Sequence, residues 1–504
     1  MTPDSAGRDD YDVIVVGAGT TGLVLARLLI MQDVRIAVID PNRIVCQHPR
    51  ASHIDDECMR IVQTIGLADH EPDYLVMSGV EVWDDSDRLL MSWDMIAGQT
   101  DQGWQSDYQF FQPDFEAILR GKLAQTKLAD LWLGWQVTDL EQASEHVSLT
   151  VQNRASGASR VVRGSYVVGC DGSRSVVRQH VMRELEDFHG TKRSVIIDVQ
   201  KFTSMISLPA AATYMKAGPR PFTHQPTLGD ISRFQFMLIG DEDVESFEDP
   251  EIVYMLLEPY LAPDSYRIMR TDVYEWHSHL VHGWRSGRVL IAGDAAHLMP
   301  PALGQGMCSG MRDAANLGWK LAAVVSGAGA ESLLDSYEEE RLPHVEAMII
   351  ESTRQANLIA AAGRGKPVAA TGTIDRSRGT LARQIGLDSV GYPLAGHLSP
   401  QPCADDGTRL DDLVGYRFAV VGQRATIGAV SEDTRQAWRD LGAVVVPDFA
   451  APACRGSSTL RRTPHSSART ATSSPQHMAR SSLRKQPRCY GPNSESRRKR
   501  YERL

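Results

Sequence analysis

The apolar positions change period twice within the first forty residues. Residues 11–17, YDVIVVG, form a short β-branched run that predicts a strand, residues 23–31, LVLARLLIM, suit an apolar helix, and residues 35–40, RIAVID, predict a second strand. This is a βαβ unit. Its first turn reads GAGTTG at 17–22. Gly17 allows a tight turn, Gly19 lets backbone approach a pyrophosphate, Gly22 lets helix pack closely on strand, and the helix start offers unpaired N–H groups to phosphates. Asp40 ends the second strand, where a carboxylate accepts hydrogen bonds from a ribose. An acid there favours an adenosine ribose without a 2'-phosphate, as in FAD or NAD.

Two further strand–turn–helix patterns follow. Residues 165–178, SYVVGCDGSRSVVR, run from a strand into an Asp-Gly turn at Asp171 and Gly172, which read alone is an ordinary capped turn. Residues 287–317 give a strand ending in Gly293-Asp294, a Pro/Gly-rich loop through Pro301, Gly304 and Gly306, then a long helix whose positive end faces the loop. Asp294 is placed to hold a polyol hydroxyl. His297 has no second ligand at metal-site spacing and reads as a packed, hydrogen-bonded histidine. Between these segments, residues 186–280 alternate β-like runs with turns, as in SVIIDV at 194–199 and RFQFMLI at 233–239, and predict a sheet-rich insertion forming one wall of a cleft. Residues 330–362 suggest helices, 360–373 a Gly/Ala-rich linker, and 386–450 a small α/β unit.

At 504 residues the chain has room for two to four domains. A hydrophobic share of 42% and a charged share of 23% exclude collagen-like and wholly disordered classes, and no apolar run is long enough to span a membrane. Seven scattered cysteines without a CxxC predict reduced thiols and no metal centre, and the polar start MTPDSAGRDD predicts a cytoplasmic protein. The net charge of -10 divides unevenly, because residues 451–504 are rich in Arg, Ser and Pro, with RRKR at 497–500, while the preceding body is strongly acidic. That body should repel nucleic acid, and the tail is expected to be disordered, either as an anionic-surface arm or as a non-native end.

Taken together, the three turns resemble those of the class A flavoprotein aromatic hydroxylases, the p-hydroxybenzoate and phenol hydroxylase family. Finer matches are PRA at 49–51 followed by IDDE at 54–57, FQPDFE at 111–116, FQFML at 234–238 and AHLMPPALGQGMCSG at 296–310. These are similar to the 3-(3-hydroxyphenyl)propionate hydroxylase branch, over roughly residues 11–450. The resemblance implies an α/β fold: a Rossmann-like FAD-binding domain (1–185 plus 281–362, with 70–110 contributing to the substrate cleft), an inserted sheet-rich substrate domain (186–280), and a partial thioredoxin-like unit (386–450) before the basic tail.

The same resemblance implies that Gly17, Gly19 and Gly22 surround the FAD pyrophosphate, Asp40 the adenosine ribose, Arg50 and Gln112 the length of the cofactor, and Asp294 its ribityl chain. Pro301, Gly304 and Gly306 would border the isoalloxazine, and the Asp171–Gly172 turn would serve both FAD and NADH or NADPH. The activity implied is hydroxylation of a phenolic ring, such as a hydroxyphenylpropionate-like acid, through a flavin C4a-hydroperoxide, in aromatic compound catabolism. A same-scaffold hydroxylase of a larger polycyclic metabolite and a flavin-binding but inert protein are the alternatives. Partners are then the small aromatic substrate and O2, without nucleic acid or membrane, and with a homodimer as candidate assembly. The phenol-activating base does not carry over: Ser52 stands where phenol hydroxylases place Asp, and His53 where the branch has Gly. His53, titrating near neutrality, is the candidate base, with Pro301 beside it. Arg220 and Arg233 are candidates for a substrate carboxylate, and Tyr214 and Trp276 read as core aromatics.

Overall fold

The computed structural model describes residues 10–95, 98–202, 208, 212–240, 242–362, 396–404 and 406–449. The tail at 451–504 lies outside them, as do residues 363–373 of the linker and 386–395 of the C-terminal unit.

One sheet has strand Asp10–Val16 at its centre, with Ile36–Asp40 and then Ala129–Leu133 on one side and Ser159–Gly169 and then Val289–Ile291 on the other. All four of these pairings are parallel. Because the chain leaves the central strand in both directions, the carboxyl ends of neighbouring strands open a crevice at the point where the winding reverses. Gly17, Asp40 and Cys170 all stand at this edge, and Ala292 follows the last strand. The strands are continuous apolar runs because both faces are covered, with helix Thr20–Ile30 packed on Asp10–Val16 and Ile36–Asp40 and strand Trp135–Gln142 packed against Ile36–Asp40: Val13, Ile14 and Val15 are fully buried.

Helix α1 (Thr20–Ile30) is buried on nearly every side. It starts earlier than the apolar run at 23–31 suggests, because its first turn lies within the glycine motif and Gly22 is itself helical. Helix α2 (Asp56–Thr64) is capped by the Asp55 carboxylate, which accepts the Cys58 N–H, and α3 (Gln112–Ala124) starts with proline in its first turn.

A second, seven-stranded sheet runs Tyr266–Trp276, Lys192–Lys201, Ile231–Met237, Phe222–Pro226, Ala212–Ala217, Gly79–Asp84, Leu89–Asp94. Period-2 alternation divides its faces. Val195, Ile197, Phe234 and Phe236 turn to a rear core closed by Val253 and Leu257 of α4 (Pro250–Leu257), while Ser194, Ile196, Gln235 and Met237 turn to the front. Between the sheets a small three-stranded piece has Asp107–Gln109 in the middle, paired with His53–Asp55 on one side and Leu75–Val76 on the other. Helices α5 (Gln305–Val325) and α6 (Asp335–Ala362) complete the packing on the first sheet.

Residues 399–418 lie across α2 and α5. Arg60 donates Nε–H and Nη2–H to the two Asp411 oxygens at 2.8 and 2.9 Å, Gln63 donates to Asp412, and the Tyr416 hydroxyl donates to Ala315 O at 2.7 Å. Beyond them, strands Ala419–Gly422 and Val444–Pro447 pair in parallel. Arg60→Ala leaves a mostly buried carboxylate without its bidentate partner. It is expected to lower unfolding free energy by about 1–3 kcal/mol, seen as an earlier urea midpoint and faster proteolytic cutting within 399–418; an unmoved midpoint contradicts the contact's role.

Candidate active site

Three turns meet at the carboxyl edge of the parallel sheet. Gly17 has φ +107°, and a Cβ there would lie 2.3 Å from Cys170 O; one on Gly22 would lie 2.1 Å from Gly17 O, and one on Gly293 2.7 Å from Thr21 Oγ1. Only glycine allows these backbones to approach so closely. Backbone hydrogen bonds from Cys170 N–H to Val16 O and from Ala292 N–H to Gly169 O tie the turns to adjacent strands. The first turn of α1 has no side-chain cap, so its N–H groups remain available to a ligand.

A cleft of about 880 Å³ opens between these turns and the front of the second sheet. Of the residues singled out in the sequence, Gly19, Arg50, His53, Gln112, Gly172, Asp294, Pro301, Gly304, Gly306 and Arg233 line it. Gly17, Gly22, Asp40 and Asp171 stand behind that lining. Asp40 accepts the Ala18 and Asn42 N–H groups at 2.8 and 2.7 Å, fixing the glycine turn against the second strand. Asp171 accepts from Ser175 Oγ, Val176 N and Val177 N, so it shapes the turn that presents Gly172. Gln112 Oε1 accepts the Arg50 and Ala51 N–H groups, and its Nε2 donates to Glu116, bringing the 49–53 segment to the cleft.

Asp294 faces the cleft, and among the described residues its carboxylate has no protein hydrogen-bond partner. Such a group suits a polyhydroxyl chain. Opposite it, Gly304 adopts φ +66° and starts α5, whose first turn also lacks a side-chain cap and an acidic residue. The helix therefore points uncompensated positive N–H groups at the cleft.

His53 differs from the base titrating near neutrality expected from the sequence. It is buried, with Nε2 2.7 Å from Asp107 Oδ1 and Nδ1 3.3 Å from Gly304 O. Both facing atoms are acceptors, which suits a ring carrying two protons. Burial works against that charge, but the Asp107 hydrogen bond and charge, helped by the Cys308 thiol, prevail and push His53 up to about 10. With both ring nitrogens held by acceptors, His53 is a fixed, engaged group and not a free base.

Arg220 and Arg233 are likewise already engaged. Arg220 pairs through both terminal nitrogens with Glu242, outside the cleft lining, and Arg233 pairs with Asp198 at 2.8 and 3.0 Å. Arg233 and Arg270 also donate to Pro49 O, pinning the second sheet to the 49–53 segment. Tyr214 stacks on Trp83, as expected of a core aromatic, whereas Trp276, although buried, lines the cleft with its indole Nε1 lacking a hydrogen-bond partner among the described residues.

Several groups at the site carry no motif. Asp313 on α5 accepts from Gly293 N at 3.0 Å, His297 Nε2 at 2.7 Å and Arg341 Nε at 2.9 Å. Burial opposes its ionisation, yet His297 and Arg341 hold its carboxyl well below the usual range. Arg312 joins Asp55, Glu57 and Gln305, so Asp55, although its carboxylate lies within 4.8 Å of the Cys58 and Cys308 sulfurs, already has a guanidinium partner. Gln109 lines the cleft beside His53 at 1% exposure, and among the described residues its Oε1 has no hydrogen-bond partner. The only sequence signal for Asp107 and Gln109 was a short strand-like run.

A family profile described as "FAD binding domain" matches residues 10–352. A 3-(3-hydroxy-phenyl)propionate/3-hydroxycinnamic acid hydroxylase of Mycobacterium sp. (strain JLS) is 34% identical over 479 residues, 88% of this chain and 81% of that protein. A probable NADH-specific resorcinol 4-hydroxylase of Rhodococcus jostii (strain RHA1) is 34% identical over 353 residues, 68% of this chain and 64% of that protein. Among solved structures, aklavinone-11 hydroxylase in ternary complex with FAD and aklavinone superposes with TM-score 0.71 at 22% identity, covering 88% of this chain and 89% of its own.

The His53–Asp107 pair makes a spectroscopic prediction. His53 should stay protonated at pH 7 and titrate near 10 by NMR of the imidazole. Since its folded value lies above the ordinary 6.5, its stabilising contribution is complete below 6.5 and lost as pH rises through 10. Asp107→Asn leaves burial as the dominant influence and should bring the titration down to 6.5 or lower; an unshifted titration in that variant contradicts the assignment.

Proposed function

Since the chain belongs to the FAD binding domain family and is an FAD-dependent aromatic monooxygenase, we propose that the cleft between its two sheets hydroxylates a small phenolic ring. The overall change would be ring C–H plus O2, NAD(P)H and a proton giving ring C–OH, water and NAD(P)+. FAD, when bound, supplies hydride acceptance from the nicotinamide and delivery of one oxygen atom to the ring. The carrying observation is the meeting of three glycine turns on a cleft whose far wall is a separate sheet, so that a flavin held by one side faces a substrate held by the other.

The residues fit that cofactor. The α1 N-terminus and Gly19 would receive the pyrophosphate, Asp40 the adenosine ribose at the end of its strand, and the unpartnered Asp294 the ribityl hydroxyls. Arg50 and Gln112 would lie along it, Gly172 beside the second turn, and Pro301, Gly304 and Gly306 against its ring system.

Hydroxylation is favoured when the phenol ring is electron-rich, so negative charge must be stabilised in the cleft. Two fixed positive features face that need: the α5 N-terminus and the His53 imidazolium, held by Asp107. Neither has to reorganise during reaction. His53 would ease phenol ionisation through its charge while its own two protons stay on the ring nitrogens, donated to Asp107 Oδ1 and Gly304 O. The sheet's front face would keep water from the reacting ring.

Labelled dioxygen provides the test. With NADH or NADPH and a panel of phenols, oxygen-18 gas is expected to place one labelled atom in the product for each nicotinamide oxidised in the coupled reaction. Oxidation of nicotinamide that yields only hydrogen peroxide across the whole panel contradicts the proposal.

A further inference from the structure

The front face of the second sheet can be followed strand by strand through its register. Asp198 pairs with Arg270 on one side and Arg233 on the other, Arg233 pairs with Gln225, and in the next row Ile196 pairs with Gln235 and Gln235 with Thr223. The charged end of this face is internally neutralised. Arg233 pairs with Asp198, and Arg270 reaches Asp198 at 3.7 Å and Asp272 at 2.7 Å. Both guanidinium groups also donate to Pro49 O, which fixes them in place. A further cation of this sheet lining the cleft, Arg193, gives its Nη2–H to Gly240 O at an exposed position.

The remainder of the wall mixes apolar side chains, such as Ile196, Met215, Met237 and Val273, and one acid, Glu275, with uncharged polar groups. Gln225, Gln235, Thr213, Thr223 and Ser194 line the cleft, and among the described residues none of their side chains hydrogen-bonds to another protein group. Facing them from the small sheet, Gln109 presents the buried, unpartnered Oε1 described above. A buried amide left unpaired costs free energy unless a ligand completes it. Amides and hydroxyls match ring hydroxyls, to which they both donate and accept. Against this wall a carboxylate would lose its hydration without gaining an unpaired cation, which is unfavourable. Arg193, Arg233 and Arg270 are already engaged, and the other guanidinium groups in the lining, Arg50, Arg174 and Arg178, belong to the turns of the opposite side.

Resting on the phenol-hydroxylase reading, we infer that this site takes an uncharged ring bearing more than one hydroxyl, with Gln109, Gln225 and Gln235 as specificity-determining residues, and that it discriminates against phenolic acids. Arg233 thereby acts as a clamp between sheet and loop and not as a carboxylate receptor.

The test uses the FAD-loaded enzyme with resorcinol, 3-(3-hydroxyphenyl)propionate and the near-isosteric 3-(3-hydroxyphenyl)propionamide. Product formation gives kcat/KM, and perturbation of the flavin absorbance gives binding. Resorcinol and the amide are expected to exceed the acid in kcat/KM by about tenfold or more. Gln225→Leu and Gln235→Leu should each raise KM for resorcinol about fivefold to tenfold, with kcat and flavin content little changed. Preference for the acid over its amide, or unaltered KM in both variants, overturns this inference while leaving the hydroxylase reading intact. Absence of both turnover and flavin perturbation with every phenol overturns the two together.

Discussion

At the carboxyl edge of the parallel sheet, three turns approach so closely that a Cβ on Gly17 would lie 2.3 Å from Cys170 O and one on Gly293 2.7 Å from the Thr21 side chain, while one on Gly22 would lie 2.1 Å from Gly17 O within its own turn. This steric constraint organises everything beyond it. It brings the start of α1, the Cys170–Gly172 turn and the Gly293–Asp294 turn to one place, and it does so because their strands are parallel neighbours in the sheet. Asp313 then pins Gly293 from behind while binding His297 and Arg341, so the third turn is fixed by buried charge as well as by backbone contact. Removing one member of such a buried set leaves an uncompensated charge, at a cost of roughly 3–5 kcal/mol.

Charge is distributed with a consistent logic. Wherever a carboxylate or guanidinium is needed to hold segments together it is paired inside the protein, as in Arg312 with Asp55 and Glu57, or Arg233 with Asp198. Where, on the proposed reading, the cleft meets its ligands, groups have no side-chain hydrogen bonds to protein among the described residues: Asp294 on the side proposed for the cofactor and the amide groups of the second sheet on the other. His53 links the two sides. Its strand pairs with the strand carrying Asp107 and Gln109, and its ring packs against Gly304 at the start of α5.

The βαβ unit and its glycine motif were legible because they are local: period, turn chemistry and the acid at Asp40 lie within thirty residues of sequence. The Gly293–Asp294 strand and long helix were legible for the same reason. What local pattern does not carry is register. Nothing in the alternation of residues 79–84 says that Glu81 pairs with Tyr214, and nothing around His53 says that Asp107 arrives beside it to reverse the effect of burial on its proton affinity. Arg233 shows the same limit, since an arginine on a predicted cleft wall reads as a free cation until the strand bearing Asp198 is placed next to it. Gln109 belonged to no motif, and only the closed site reveals its unpaired oxygen.

The central claim is that the three turns form one cradle for one flavin. Titration of flavin-free protein with FAD, followed by flavin fluorescence, tests it most directly. Saturable binding at one FAD per chain is expected, with loss of that binding in Gly22→Val although the variant keeps its folded circular dichroism. Binding that survives unchanged in a folded Gly22→Val protein, or no binding by the parent chain, would contradict it.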